Sequence, residues 1–252
     1  MQRFHGRDGL ELAYRELGEG RPVVLLHGVM GLGSQWIDQG PARAIAERGY
    51  RVILPDLRGH GDSARPHDPA CYPPDVLAED GLALIEHLGL DDYDLGGYSL
   101  GGRVVLRMLV RGARPRRAII AGQGLDALDA ATGRTGGIRA TLTAIAEGGE
   151  LDGGQRRTAY WLEQLGGDPL ALRNVPDTHV ATPIEDLAAI DVPTLVIFGA
   201  DDRERASADK LAEALPNGRY LSLAGDHWGA WTNPEFGAAI LDFLSESSPA
   251  GR

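Results

Sequence analysis

The stretch that most restricts how this chain can fold is Asp92 to Gly102, DYDLGGYSLGG, with Gly97-Tyr98-Ser99-Leu100-Gly101 at its centre. The spacing G-x-S-x-G suits a chain that leaves a strand and enters a helix in one sharp turn, holding the serine in strained backbone geometry. A side chain at Gly97 or Gly101 would collide with the neighbouring strand or helix, so glycine is the residue that fits. Ser99 is then expected to stand above a sheet edge at a helix N-terminus. There the N–H of Leu100, aided by the helix dipole, faces whatever oxygen gains negative charge. A plain Gly/Ser loop would contain the same five residues, so the reading depends on the rest of the chain.

The rest of the chain alternates short apolar runs with helical patterns. A hairpin is expected from Arg3 to Gly6 and Leu10 to Leu17, turned at Asp8-Gly9. Strands follow at Pro22–Leu26, Arg51–Leu54, Ala118–Ala121, Thr194–Phe198 and Tyr220–Leu223, with Tyr93–Gly96 leading into the turn at Ser99. Their continuous apolar character indicates strands buried on both faces of a mostly parallel sheet. Helical spacing marks Pro41–Arg48, Pro74–Leu88, Leu100–Arg111, Ser207–Leu215 and Pro234–Leu244, several with proline at the first turn. The rhythm fails between Gly124 and Asp191, where Gly-rich and charged pieces follow one another. That is too long for a loop, and it reads as three or four short helices capping the sheet's C-terminal edge. The expected organisation is a core in two parts, 1–123 and 192–252, with a cap insertion at 124–191. The tail from Ser245 to Arg252 is expected to fray.

Composition narrows the partners. At 252 residues and 43% hydrophobic content the chain can bury a substantial core. A net charge of -11 argues against nucleic acid or an anionic membrane surface and favours a small molecule. The single cysteine, Cys71, excludes an intrachain disulfide and a cysteine metal cluster, so neither a metal nor another cofactor is expected. With no apolar leader and no run of membrane-spanning length, a cytoplasmic protein is expected.

A serine hydroxyl becomes a nucleophile when a base takes its proton and a carboxylate orients that base. Of seven histidines, His227 follows the last strand and would reach the Ser99 turn. His27 and His60 sit in glycine turns suited to structural hydrogen bonds, while His5, His67, His87 and His179 lack a strand-end context. Asp201 and Asp202 end the preceding strand, and Asp202 is the expected orienting acid. Asp126, after an earlier strand, is the alternative. Met30, Trp36, Tyr98, Trp161, Trp228 and Trp231 are candidates to line an apolar cavity, with core packing preferred for Trp36 and Trp231.

Four segments together resemble the α/β-hydrolase fold family: Leu25-Leu26-His27-Gly28-Val29, Pro55-Asp56-Leu57-Arg58-Gly59-His60-Gly61-Asp62-Ser63, the turn at Ser99, and the strand ends carrying Asp202 and His227. The resemblance implies a mostly parallel eight-stranded α/β sheet flanked by helices, a Ser99-Asp202-His227 triad, and an oxyanion hole from the N–H groups of Val29 and Leu100. Serine at the nucleophile position disfavours the dehalogenases and epoxide hydrolases of that fold, which use aspartate there. A carboxylesterase-like hydrolase of esters, thioesters or lactones is the expected class, with a carbon–carbon bond hydrolase as an alternative. The extended pattern Gly97-Tyr98-Ser99-Leu100-Gly101-Gly102-Arg103 also resembles the succinyl-hydroxy-cyclohexadiene-carboxylate synthase of menaquinone biosynthesis, a lyase on the same fold. In that family the tyrosine and arginine help hold an anionic substrate. For Arg103 the preferred reading is instead a solvated helix face shared with Arg107 and Arg111. A non-catalytic ligand-binding protein on this fold is the remaining alternative.

Overall fold

The computed structural model describes residues 1–128, 134–202 and 207–246. Its frame is made of β1 (Gln2–His5), β2 (Glu11–Leu17), β3 (Arg21–Leu26), β4 (Tyr50–Pro55), β5 (Asp94–Tyr98), β6 (Ala118–Ala121), β7 (Thr194–Gly199) and β8 (Gly218–Leu223). All eight join one sheet in the order β1-β2-β4-β3-β5-β6-β7-β8. The opening hairpin pairs antiparallel and β2 runs antiparallel to β4, while every other neighbouring pair is parallel. In chain order the helices are α1 (Gln35–Asp38), α2 (Ala42–Glu47), α3 (Val76–His87), α4 (Leu100–Val110), α5 (Arg134–Glu147), α6 (Gly153–Gln164), α7 (Pro169–Leu172), α8 (Ile184–Leu187), α9 (Ala208–Ala214), α10 (His227–Thr232) and α11 (Pro234–Ser245). None among the described residues is long and apolar enough to cross a membrane.

The continuous apolar strands have a simple cause, because successive side chains point to opposite faces and both faces are covered. Val24, Leu26, Ile53, Ile120 and Val196 join the cores of α3, α4 and α9 on one side. Their neighbours Val23, Leu25, Val52, Leu54, Ile119 and Ile197 join Ile45 of α2 and Phe236, Ile240 and Phe243 of α11 on the other. A buried apolar side chain contributes about 1.5 to 3 kcal/mol, so this double layer is what holds the sheet.

The strand before Ser99 begins one residue later than expected and runs further, to Tyr98. Gly96 faces Leu25 across the sheet, and a methyl there would come within 2.9 Å of the leucine Cδ2. Asp94 is fully buried in the same strand, where desolvation raises its pKa and Arg21 at 3.1 Å opposes that shift. α1 and α10 were not expected, since four and six residues leave too little helical periodicity to detect. Between β6 and β7 lie α5 to α8 and two 3-10 turns, Leu125–Leu128 and Val175–Thr178. Gly148 and Gly166, with φ of 68° and 62°, end α5 and α6 in the left-handed conformation. Ser245 is still helical. Residues 247–252, where fraying was expected, and residues 129–133 of the expected cap lie outside the described residues.

Candidate active site

The turn between β5 and α4 holds Ser99 at φ 55° and ψ -115°, a sparsely populated conformation for a residue with a side chain. Such a residue persists only where its surroundings over-determine it, at a cost of about 1 to 3 kcal/mol. The Ser99 N–H donates to Ala121 O at 2.8 Å, and its carbonyl accepts from the Arg103 N–H at 3.1 Å. The Gln123 side-chain amide donates to the same carbonyl. A methyl on Gly97 would meet the Gly101 carbonyl carbon at 2.3 Å, and one on Gly101 would meet Leu26 O at 2.2 Å. These contacts are with backbone, so neither can give way, and the glycine spacing follows from close approach.

His227 reaches this turn from the loop after β8. Its Nε2 lies 3.1 Å from Ser99 Oγ and its Nδ1 lies 2.9 Å from Asp202 Oδ2. A carboxylate accepts, so Nδ1 carries the proton and Nε2 is left to accept from the serine hydroxyl. Asp226 starts α10 by accepting from the N–H groups of Trp228 and Gly229, which fixes where the helix begins and so where His227 leaves it. The loop carrying Asp202 is tied to this one, with the Ala200 N–H on Leu223 O at 2.7 Å and the Asp201 N–H on Gly225 O at 3.0 Å. Asp202 is buried, whereas Asp201 and Asp126 are exposed. The Asp126 N–H is bonded to Ser207 Oγ at 2.8 Å, in a different loop.

The segment after β3 lies beside the serine, since a methyl on Gly28 would sit 3.4 Å from Ser99 Cβ. Two neutral histidines hold it there. His27 Nε2 accepts from the Leu57 N–H at 2.9 Å, leaving Nδ1 to donate to Gly28 O at 2.8 Å. His60 repeats the arrangement, accepting from the Met30 N–H at 3.2 Å and donating to Arg58 O at 3.0 Å. The rings meet edge to face at 4.8 Å. Burial lowers the pKa of His27 to about 4 and that of His60 to about 3, His27 adding to the second shift. The turn that presents His60 is anchored by Arg58, fully buried between Asp8 and Asp80, and by Asp56, which accepts from the N–H groups of Gly33 and Asp62. Val29 thereby lines the same cavity as Ser99, and Leu100, first residue of α4, has an N–H with no intrahelical acceptor.

A cavity of about 180 Å³ opens at Ser99 and His227, lined by Gly28, Val29, Met30, Gln35, Tyr98, Trp228 and Trp231. Met30 and Trp228 also border a wider hollow of about 680 Å³, whose other wall is α6 with Asp152, Arg157, Thr158 and Trp161. Trp161 and Trp228 meet edge to face at 6.2 Å across its floor. Trp36 is buried in the core, whereas Trp231 serves both core and cavity. Arg103 borders a different void, of about 10 Å³, with Arg107, Asp75 and His179. The helix face carrying these arginines is not simply solvated: Arg107 pairs with Asp75 at 2.5 Å and Arg111 with Glu79 at 2.7 Å, docking α4 against α3. Gln123, Gln35, Gly122 and Asp226 also shape the site without having been singled out in the sequence. Only Asp226, a capping residue just before a short helix, left a local signal. Among the described residues no group of three or more His, Cys, Asp or Glu side chains is arranged to hold a metal ion.

Residues 21–120 match the family described as the alpha/beta hydrolase fold. A non-heme haloperoxidase of Rhodococcus erythropolis is 30% identical, over 89% of this chain and 92% of that one. A 2-hydroxymuconate semialdehyde hydrolase of Pseudomonas putida is 28% identical over 96% and 95%. Among solved structures, the enol-lactonase from Burkholderia xenovorans LB400 superposes with a TM-score of 0.74 at 25% identity, covering 97% of this chain and all of that one.

Proposed function

Because the chain belongs to the alpha/beta hydrolase fold family and is an enzyme of that fold, we propose that it is a serine hydrolase that cleaves a small or medium ester, thioester or lactone through an acyl-enzyme. The observation that carries this reading is the run of contacts from Ser99 Oγ to His227 Nε2 at 3.1 Å and from His227 Nδ1 to Asp202 Oδ2 at 2.9 Å, at the mouth of an apolar cavity. In this reading Ser99 attacks the carbonyl while His227 takes its proton. Asp202 holds the imidazole tautomer and stabilises the imidazolium that forms. The N–H groups of Val29 and Leu100 receive the oxyanion, each contributing about 3 kcal/mol in comparable sites. His227 then returns the proton to the leaving group, and water repeats the sequence on the acyl-enzyme. The acyl part sits in the smaller cavity, and the leaving group points to the hollow under α6, so residues 124–191 act as a substrate-facing cap.

The lyase reading draws less support, because the Tyr98 hydroxyl is engaged by the His227 carbonyl and Arg103 borders a separate void. Short-chain nitrophenyl esters, assayed with wild type and Ser99→Ala, test the proposal. The variant should lose about 10⁴-fold or more in turnover. Equal rates for the two proteins would remove the proposal.

A further inference from the structure

We propose that Tyr98 is a positioning residue for His227, its phenol holding the histidine's main chain and its ring helping to hold the imidazole over Ser99. The inference rests on the serine-hydrolase reading and adds a component to it. Tyr98 is the residue before the nucleophile, yet its hydroxyl donates to the carbonyl oxygen of His227, 129 positions further along the chain. Its ring lies 5.1 Å from the imidazole at a tilt of 40°. Trp231 at 4.9 Å and Phe236 at 5.6 Å meet the same ring edge to face, so the tyrosine is packed by two further rings besides the imidazole. Gly122, at the end of β6 with φ 64°, completes the seat: a methyl there would lie 2.9 Å from His227 Cε1 and 3.2 Å from Tyr98 Cζ. Both rings therefore occupy space that only a glycine leaves open.

The Asp202 carboxylate fixes the imidazole at one nitrogen, but it does not fix where the chain bearing the imidazole stands. His227 is the first residue of a short helix and is preceded by Gly225 at φ 111°, a backbone conformation in which a side chain is disfavoured. The Tyr98 bond links that position directly to the residue beside Ser99. The other ties of that position are less direct, running through β8 and its loop and through Trp231 of α10, which packs on Trp36. Misplacement of reacting groups by about 1 Å can lower a rate by about 10²-fold, so such a link has a kinetic effect beyond packing. A tyrosine present for packing alone would be replaceable by phenylalanine without kinetic consequence.

Tyr98→Phe and Phe243→Leu separate the two roles, since Phe243 is buried in the α11 layer of the core with Arg117 and Arg219 over its ring. Wild type and variants are compared in ester hydrolysis, in thermal unfolding, and in the rate of inactivation by a fluorophosphonate, which also counts competent sites. Tyr98→Phe should lower kcat per titrated site by about tenfold or more with KM nearly unchanged, and slow fluorophosphonate inactivation in parallel. Phe243→Leu should lower the unfolding midpoint while keeping kcat near wild type. Rates are read well below each midpoint, so a less stable variant still gives an answer. An unchanged kcat and inactivation rate in Tyr98→Phe overturns the inference, as does a rise in KM alone, which would assign the hydroxyl to substrate. If wild type hydrolyses no ester, the serine-hydrolase reading fails separately; the fluorophosphonate rates still decide whether Tyr98 governs the reactivity of Ser99.

Discussion

The sheet edge around Ser99 and the helices α5 and α6 above it are held in different ways. α4, which carries the serine at its start, buries eight of its eleven residues, among them Val105, Leu106 and Met108. Among the residues of α5 and α6 whose burial is described, Leu142 and Leu162 alone are buried. The loops at the sheet edge are also tied to one another by main-chain hydrogen bonds, as with Asp201 on Gly225 and Ser99 on Ala121. α6 meets the site through side chains, chiefly Trp161 against Trp228. The contrast teaches that the groups proposed to need fixed distances sit where backbone meets backbone, while the surface proposed to meet most of a substrate is carried on sparsely buried helices. Changes below should abolish activity, and changes above should redirect it.

The largest test of that contrast is Asp202→Asn, for which turnover should fall roughly 10³- to 10⁴-fold because an amide cannot hold the imidazole tautomer. Asp201→Asn and Asp126→Asn, both exposed, should stay near wild type. A collapse with Asp126→Asn alone would move the acid to the loop after β6.

Acid should act next, and on the sheet edge first. Buried neutral His27 titrates near pH 4 in the folded protein, against about 6.5 in an unfolded chain. Between those values the unfolded state binds more protons, so the stabilisation from His27 is complete above about pH 6.5 and is lost as pH falls toward 4. The loss amounts to roughly 3 kcal/mol at about 1.4 kcal/mol per pKa unit, and His60 extends it to lower pH. Urea midpoints at pH 7 and pH 4.5 measure the effect. His27→Gln should lower the pH 7 midpoint and flatten the pH dependence; an unaltered slope would show that the two rings do not set acid tolerance.

The smallest expected effect lies above. Trp161→Ala should leave hydrolysis of a methyl ester nearly unchanged and raise KM for esters with a bulky leaving group by up to about tenfold, the equivalent of about 1.4 kcal/mol of lost contact. An equal loss of kcat on every ester would contradict the division between the two regions.

The same division governs what could be read from the amino-acid order. β3, β6 and β7 are legible as apolar runs because both sheet faces are covered, and the spacing of Gly97 and Gly101 is legible because backbone approaches backbone there. Ser99, Asp202 and His227 each follow a strand, and a parallel sheet delivers its strand ends to one edge. The partners of Tyr98, Gly122 and Gln123 were not legible, since each depends on how neighbouring loops meet after folding. Arg107 shows the same limit: its four-residue spacing from Arg103 and Arg111 suggests a wet helix face, and nothing local announces Asp75 opposite. The separation of a small cavity from a wider hollow arises where α6 faces the loop after β8, a relation without local periodicity.

The backbone at Ser99 has a consequence for how such a chain changes over generations. Ser99→Gly would relieve the unfavourable φ while losing the proposed nucleophile, and after the entropy of glycine is counted it should stabilise the fold by about 1 kcal/mol. Selection for stability alone therefore pushes against serine at this position, and in the proposed reading selection for turnover retains it. A descendant released from its catalytic duty would be expected to lose this residue early, long before the surrounding glycines that the fold itself requires.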